Sequence, residues 1–136
     1  MEGSKVQAFY DSLDEPTSSD VIRAIFAELS DITSKITRDI IDIQEAFYTL
    51  SKEHGDLLGD FRFNVSGIHP RSEELERVIY RLECSHALGT LNPSYSYYQI
   101  DKNKLNRSLN KFSAGQQDEI KEISKKLSER IKVCVC

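Results

Sequence analysis

"FRFNVSGIHPRSEELERVIYRL", residues 61–82, changes its hydrophobic period halfway along, and that change decides the fold class. Phe61, Phe63 and Val65 alternate with Arg62 and Asn64, the period of two that marks a half-buried strand. Gly67 and Pro70 then break the chain. Ser72 stands where a helix N-cap belongs, and Glu73 and Glu74 follow in the first turn, where the helix dipole favours anions. Leu75, Val78, Ile79 and Leu82 recur at helical spacing, so a helix over residues 72–84 is expected to turn that face inward.

Downstream, "ALGTLNPSYSYYQI" (residues 87–100) reads as two strands around an Asn92-Pro93-Ser94 turn, with Tyr98 and Ile100 on one face of the second. Strand, helix, hairpin is the order of a winged-helix core. The basic stretch "KNKLNRSLNK" (102–111) is expected to be a short helix. Ser113 and Gln116 have capping-box spacing ahead of a last helix with the stripe Ile120, Ile123, Leu127 and Ile131.

Upstream, residues 17–54 contain no Gly or Pro and carry apolar residues at helical spacing. The first set is Val21, Ile22, Ile25, Phe26 and Leu29; the second is Ile32, Ile36, Ile40, Ile43, Phe47 and Leu50. Either two helices break near Ser30 or Asp31, each able to cap a new start, or one helix of about 35 residues runs through and needs a partner helix along its stripe. The two-helix reading is favoured, with Gly55 as the C-cap of the second. Residues 1–17 are read as an N-terminal arm and residues 18–136 as a single domain. The expected class is α+β, mainly helical, with a small three-stranded antiparallel sheet and a winged-helix-like core.

A chain of 136 residues with 39% hydrophobic and 29% charged side chains has an ordinary globular composition. At that length folding buries roughly two thirds of the unfolded surface. No apolar run approaches the ~20 residues of a membrane span, and the N-terminus lacks the basic start and apolar stretch of an export signal, so no membrane association is expected and the cytoplasm is the expected location. Three cysteines, 84, 134 and 136, are an odd number and suit reduced thiols. The net charge of -4 is uneven: residues 1–100 hold 17 acidic and 9 basic side chains, residues 101–136 hold 5 and 9.

The run from Leu50 to Ile100 resembles the Panacea or SocA-like group of small prokaryotic domains, which includes antitoxins. The shared features are a helix ending at Glu53 to Gly55, the Phe61 and Phe63 strand, the turn at Gly67 and Pro70 with Ser72, the Leu75 to Leu82 helix and the tyrosine-rich strand ending at Ile100. "KFSAGQQDEI" is similar to the group's closing helix, so the resemblance covers residues 36–132. Gly67-Ile68-His69-Pro70 stands where the group has a Gly-Pro pair, and residues 1–35 have no counterpart in it. The resemblance implies a winged-helix-like domain that binds macromolecules, most often protein, without catalysis; it carries over no catalytic residues.

The chemistry-bearing residues agree with a binding role. A helix that reads duplex DNA presents Arg, Lys, Asn or Gln outward, whereas residues 72–84 mix Glu73, Glu74, Glu76 and Glu83 with Arg77 and Arg81, and those carboxylates would repel phosphates. Arg77, Arg81, Tyr95 and Tyr97 are therefore expected to meet a protein partner. Lys102, Lys104, Arg107 and Lys111, with no acid among them, form the candidate nucleic-acid patch. Cys84, His86, Cys134 and Cys136 have poor zinc spacing, and Cys84 and His86 at i and i+2 on a helix would not face each other, so no metal, cofactor or nucleophile-base pair is expected. Cys84 is expected to be half-buried beside an exposed His86. The terminal "CVC" is similar to prenylated double-cysteine ends, but the GTP-binding loop that accompanies them is missing. The expected function is a non-enzymatic regulatory domain that binds another protein, with homodimerisation through residues 20–50; the alternative is a winged-helix DNA-binding transcription regulator.

Overall fold

The structure, a computed structural model, describes residues 17–33, 35–89 and 97–131. In chain order the elements are α1 (Ser18–Leu29), β1 (Lys35–Thr37), α2 (Ile40–Glu53), the single turn α3 (Gly55–Leu58), α4 (Glu73–Cys84), β2 (Leu88–Gly89), β3 (Tyr97–Ile100), α5 (Lys102–Leu109) and α6 (Ala114–Arg130). The strands form one antiparallel sheet in the order β1-β3-β2, with Ile36 opposite Tyr98 and Leu88 opposite Ile100. The class is α+β, mainly helical with a small three-stranded antiparallel sheet. No helix among the described residues is long and apolar enough to cross a membrane.

The third strand is not the expected one. Residues 61–65 join no sheet; Asn64 and Arg71 exchange both backbone hydrogen bonds, at 2.8 and 3.1 Å, as an isolated antiparallel bridge. Phe61 is buried, Phe63 stacks edge-on against Tyr48 of α2 at 5.4 Å, and Val65 is exposed. The alternation thus reflects a hairpin neck lying on α2. The sheet's third strand is β1, within the segment expected to be helical. Thr33 and Thr37 interrupt the helix there: the Thr33 hydroxyl donates to the Lys35 carbonyl at 3.0 Å, and that of Thr37 accepts from the Asp39 N–H at 3.0 Å, local bonds that compete with helical ones.

Two helices therefore do occupy residues 17–54, but the second begins later than expected. Ser30 closes α1 by donating its N–H to the Phe26 carbonyl, and Asp39 opens α2 by accepting from the Ile41 N–H at 3.0 Å. Ile36 reaches the core through the sheet, while Ile32 and Ile40, placed on the same stripe in sequence, are exposed. Gly55 is not a C-cap: His54 closes α2, Gly55 starts α3, and no described glycine has a positive φ.

The core forms where α1 packs on α5 and α6 and the sheet and α4 close the other side. Ile22, Ile25, Phe26 and Leu29 of α1 are fully buried, Phe26 meets Phe47 edge-on at 6.3 Å, and Ser124 of α6 donates to the Ile25 carbonyl at 2.8 Å. A fully buried aliphatic or aromatic side chain contributes about 1.5–3 kcal/mol relative to exposure. The stripe on which self-association through residues 20–50 was expected is thus largely consumed within the chain, with Ile32, Ile40 and Ile41 left outside. One polar joint sets α2 against α4. The Gln44 amide, 2% exposed, donates to the Ser72 carbonyl at 3.0 Å and accepts from the Ser72 N–H at 2.9 Å, so a side chain pairs with a backbone unit as a second strand would.

Candidate functional site

Helix α4 starts as the sequence predicts: the Ser72 hydroxyl accepts from the Leu75 N–H at 3.2 Å, and Leu75, Val78, Ile79 and Leu82 are buried. The opposite stripe, Glu73, Arg77, Tyr80, Arg81 and Cys84, is exposed. The carboxylates expected to dominate that face are instead bound internally. Glu73 lies 3.8 Å from Arg77 one turn on, and Glu76 takes Arg71 in a two-point contact at 2.8 and 2.9 Å. Glu74 accepts from the Ser18 hydroxyl of α1, and Glu83 lies 3.7 Å from Arg38. Arg81 forms no ion pair among the described residues, and Tyr80 is 66% exposed.

Ionisation follows the same contacts. The Glu76 carboxylate raises Arg71 above the usual guanidinium value. Burial, then the hydrogen bond and charge of Glu83, push the Tyr98 hydroxyl up to about 12, with Arg38 opposing. Cys84, beside the Tyr80 hydroxyl, raises it as well.

The 61–72 hairpin stands beside α4. Arg62, Phe63, Asn64 and Arg71 of the hairpin line a 530 Å3 cavity together with Glu73 and Arg77 of α4. Its tip is stapled: the Asn64 side chain accepts from the Ser66 N–H at 2.9 Å, and His69 contacts Glu45 of α2 at 2.8 Å. Ile68 is thereby held out at 95% exposure, and Val65, three positions earlier, is exposed as well.

Of the other residues singled out in sequence, Tyr97 is half-buried in the central strand with the Lys35 Nζ 5.0 Å over its ring, on the sheet and not on α4. Tyr98 is buried, as its strand face required. Tyr95 lies outside the described residues, as do Cys134 and Cys136. Cys84 is exposed, not half-buried, and His86 is exposed with a left-handed φ of 64°. The basic stretch is split: Lys102 pairs with Asp31 at 2.5 Å, Lys111 with Asp20 at 3.2 Å, and Lys104 donates to the Ser85 carbonyl at 3.1 Å. Arg107 has no ion pair among the described residues.

His54, one of the three histidines the sequence offers, is buried with Nδ1 3.0 Å from Glu119 and Nε2 3.2 Å from the Lys126 ammonium, contacts that the sequence does not signal. Burial raises the Glu119 carboxyl, and its hydrogen bond lowers that of Asp56. These groups tie the end of α2 to α6, a joint across 65 residues of sequence that no local pattern announces. No protein-family model, curated protein or solved structure matches the chain.

Proposed function

We propose that this domain binds another protein through the outer face of α4 and the adjoining hairpin, without catalysis, as a cytoplasmic, antitoxin-like regulatory module. The observation that carries this reading is the exposed stripe Arg77, Tyr80 and Arg81 on a helix whose other face is filled. Tyrosine and arginine dominate binding hot spots, because the tyrosine ring contributes large contact area at small entropic cost and the guanidinium contributes several directed donors. Here they stand on a rigid element, and the ring belongs to no core cluster. Ile68 adds an apolar anchor beyond the hairpin neck. The matching partner has an apolar pocket for Tyr80 and a carboxylate for Arg81.

Affinity capture from source cells tests the proposal, comparing the natural chain with Tyr80→Ala and Arg81→Glu. A partner held by the natural chain and lost by both variants is the expected outcome. A partner retained equally by all three would remove α4 from the interface.

A second reading has its own support. The order helix, strand, helix, then helix and two strands, with the sheet ordered β1-β3-β2, supports a winged-helix reading, although a 19-residue excursion (54–72) separates α2 from α4. The internal pairing of Glu74, Glu76 and Glu83 also weakens the repulsion that argued against duplex DNA. On this reading, duplex binding falls steeply with salt and depends on Arg81; absence of binding at low salt eliminates it.

A further inference from the structure

Arg71, Arg77, Lys102 and Lys126 each have a carboxylate within 4 Å. The groove between α1 and α5 differs. Arg23, Lys104, Arg107 and Lys111 line a single concavity of 340 Å3 together with Asp20 and Asn103. Lys111 is shared with Asp20, but Arg23, Lys104 and Arg107 form no ion pair among the described residues. Arg23 reaches across by donating to the Lys104 carbonyl at 3.3 Å, which brings its guanidinium to the α5 side. A concavity that gathers several cations concentrates their potential, and guanidinium groups match phosphate oxygens with two donors each.

We propose that this groove binds the diphosphate group of a small phosphorylated metabolite. Three cations without a carboxylate partner among the described residues line one cavity, Lys104 among them although its ammonium also donates to the Ser85 carbonyl at 3.1 Å. Their charge balances the roughly three negative charges of a diphosphate, where a sulfate or monophosphate would leave charge uncompensated. Convergence also separates a compact anion from a nucleic-acid backbone, which needs a row of cations across an open face. Lys102, the residue that would extend such a row, is turned away to Asp31. The site is independent of the α4 face and stands or falls separately from it.

The test is isothermal titration with inorganic pyrophosphate, and with sulfate at matched ionic strength. Saturable one-to-one binding of pyrophosphate, at least about tenfold tighter than sulfate, is expected. Arg107→Gln and Arg23→Gln should each weaken it about tenfold, as loss of one charge-assisted contact does, while Arg81→Gln leaves it unchanged. Arg107 is exposed and unpaired, so its variant should keep the natural melting temperature, which shows that lost binding is not lost folding. Absence of saturable binding, equal affinity for sulfate, or equal weakening by Arg81→Gln overturns the proposal. So does Arg107-dependent binding of duplex DNA without binding of pyrophosphate.

Discussion

Replacing Gln44 with leucine should destabilise the domain by about 1–3 kcal/mol, although the two side chains have similar volume and no cavity opens. The Gln44 amide satisfies both backbone groups of Ser72 in a buried setting, through contacts of 3.0 and 2.9 Å. Leucine leaves the buried Ser72 N–H without a partner, which costs about 1–3 kcal/mol, while the Ser72 carbonyl keeps the Glu76 N–H at 3.2 Å. Against a total stability of about 5–15 kcal/mol, that is a large share of what holds α2 to α4. Urea unfolding followed by far-ultraviolet circular dichroism measures it.

Gln44→Glu sharpens the test. At neutral pH one carboxylate oxygen still accepts from the Ser72 N–H, but the other faces the Ser72 carbonyl. Protonation turns that oxygen into a donor and restores the pair. The introduced carboxyl therefore has a folded-state pKa raised above its unfolded value of about 4.3. Its stabilising contribution is full below the unfolded value and lost as pH rises through the folded one. Measured against the natural chain at each pH, the deficit of Gln44→Glu should shrink on acidification while that of Gln44→Leu should not. A loss under about 1 kcal/mol for the leucine variant, or a pH-independent deficit for the glutamate variant, would refute the reasoning.

Three further outcomes follow from local geometry. Asp20→Asn should cost about 0.5–2 kcal/mol at neutral pH, because Asp20 completes the capping box with Thr17 and pairs with Lys111. Burial pushes the Asp20 carboxyl up, but the Thr17 backbone N–H, then Lys111 and the Thr17 hydroxyl, outweigh it, so the net shift is downward. Its contribution is therefore present above the unfolded value and lost as pH falls through the folded one, and urea titrations should show the natural and Asn chains converging at acid pH. Gly59→Ala should destabilise by about 1–3 kcal/mol, since a Cβ there runs into the Gly55 carbonyl and the backbone must shift; a thermal melt with no decrease would contradict this. His86→Gly should stabilise by about 0.5–1 kcal/mol through relief of the left-handed backbone at φ 64°, read as a higher urea midpoint.

What could be read along the chain was what neighbouring residues decide among themselves. Ser72 with Leu75 to Leu82, and Ser113 and Gln116 ahead of Ile120 to Ile131, declare α4 and α6 through caps and periodicity, and the structure places them so. β1 could not be read this way, because Ile32, Ile36 and Ile40 fall four apart and imitate a helical stripe; pairing of Ile36 with Tyr98, 62 positions on, overrules it. Conversely, Phe61, Phe63 and Val65 alternate like a strand but have no sheet partner. At the candidate site, the exposure of Arg77 and Arg81 followed from the helical wheel. The fate of the carboxylates did not, since Ser18, Arg38 and Arg71 arrive from other segments. Arg23 was invisible as a groove residue for the same reason, being 81 positions from the carbonyl it meets.

The packing of α1 on α5 and α6 has a consequence for biosynthesis. The Ser124 hydroxyl reaches the Ile25 carbonyl across 99 positions, and Lys111 reaches Asp20 across 91. α1 therefore completes its packing only after α5 and α6 have emerged, and until then a nascent chain carries part of the Ile22, Ile25 and Phe26 face uncovered. A ribosome paused within α5 would present that stripe to chaperones and proteases, which makes the pace of translation over the codons of α5 and α6 a determinant of yield.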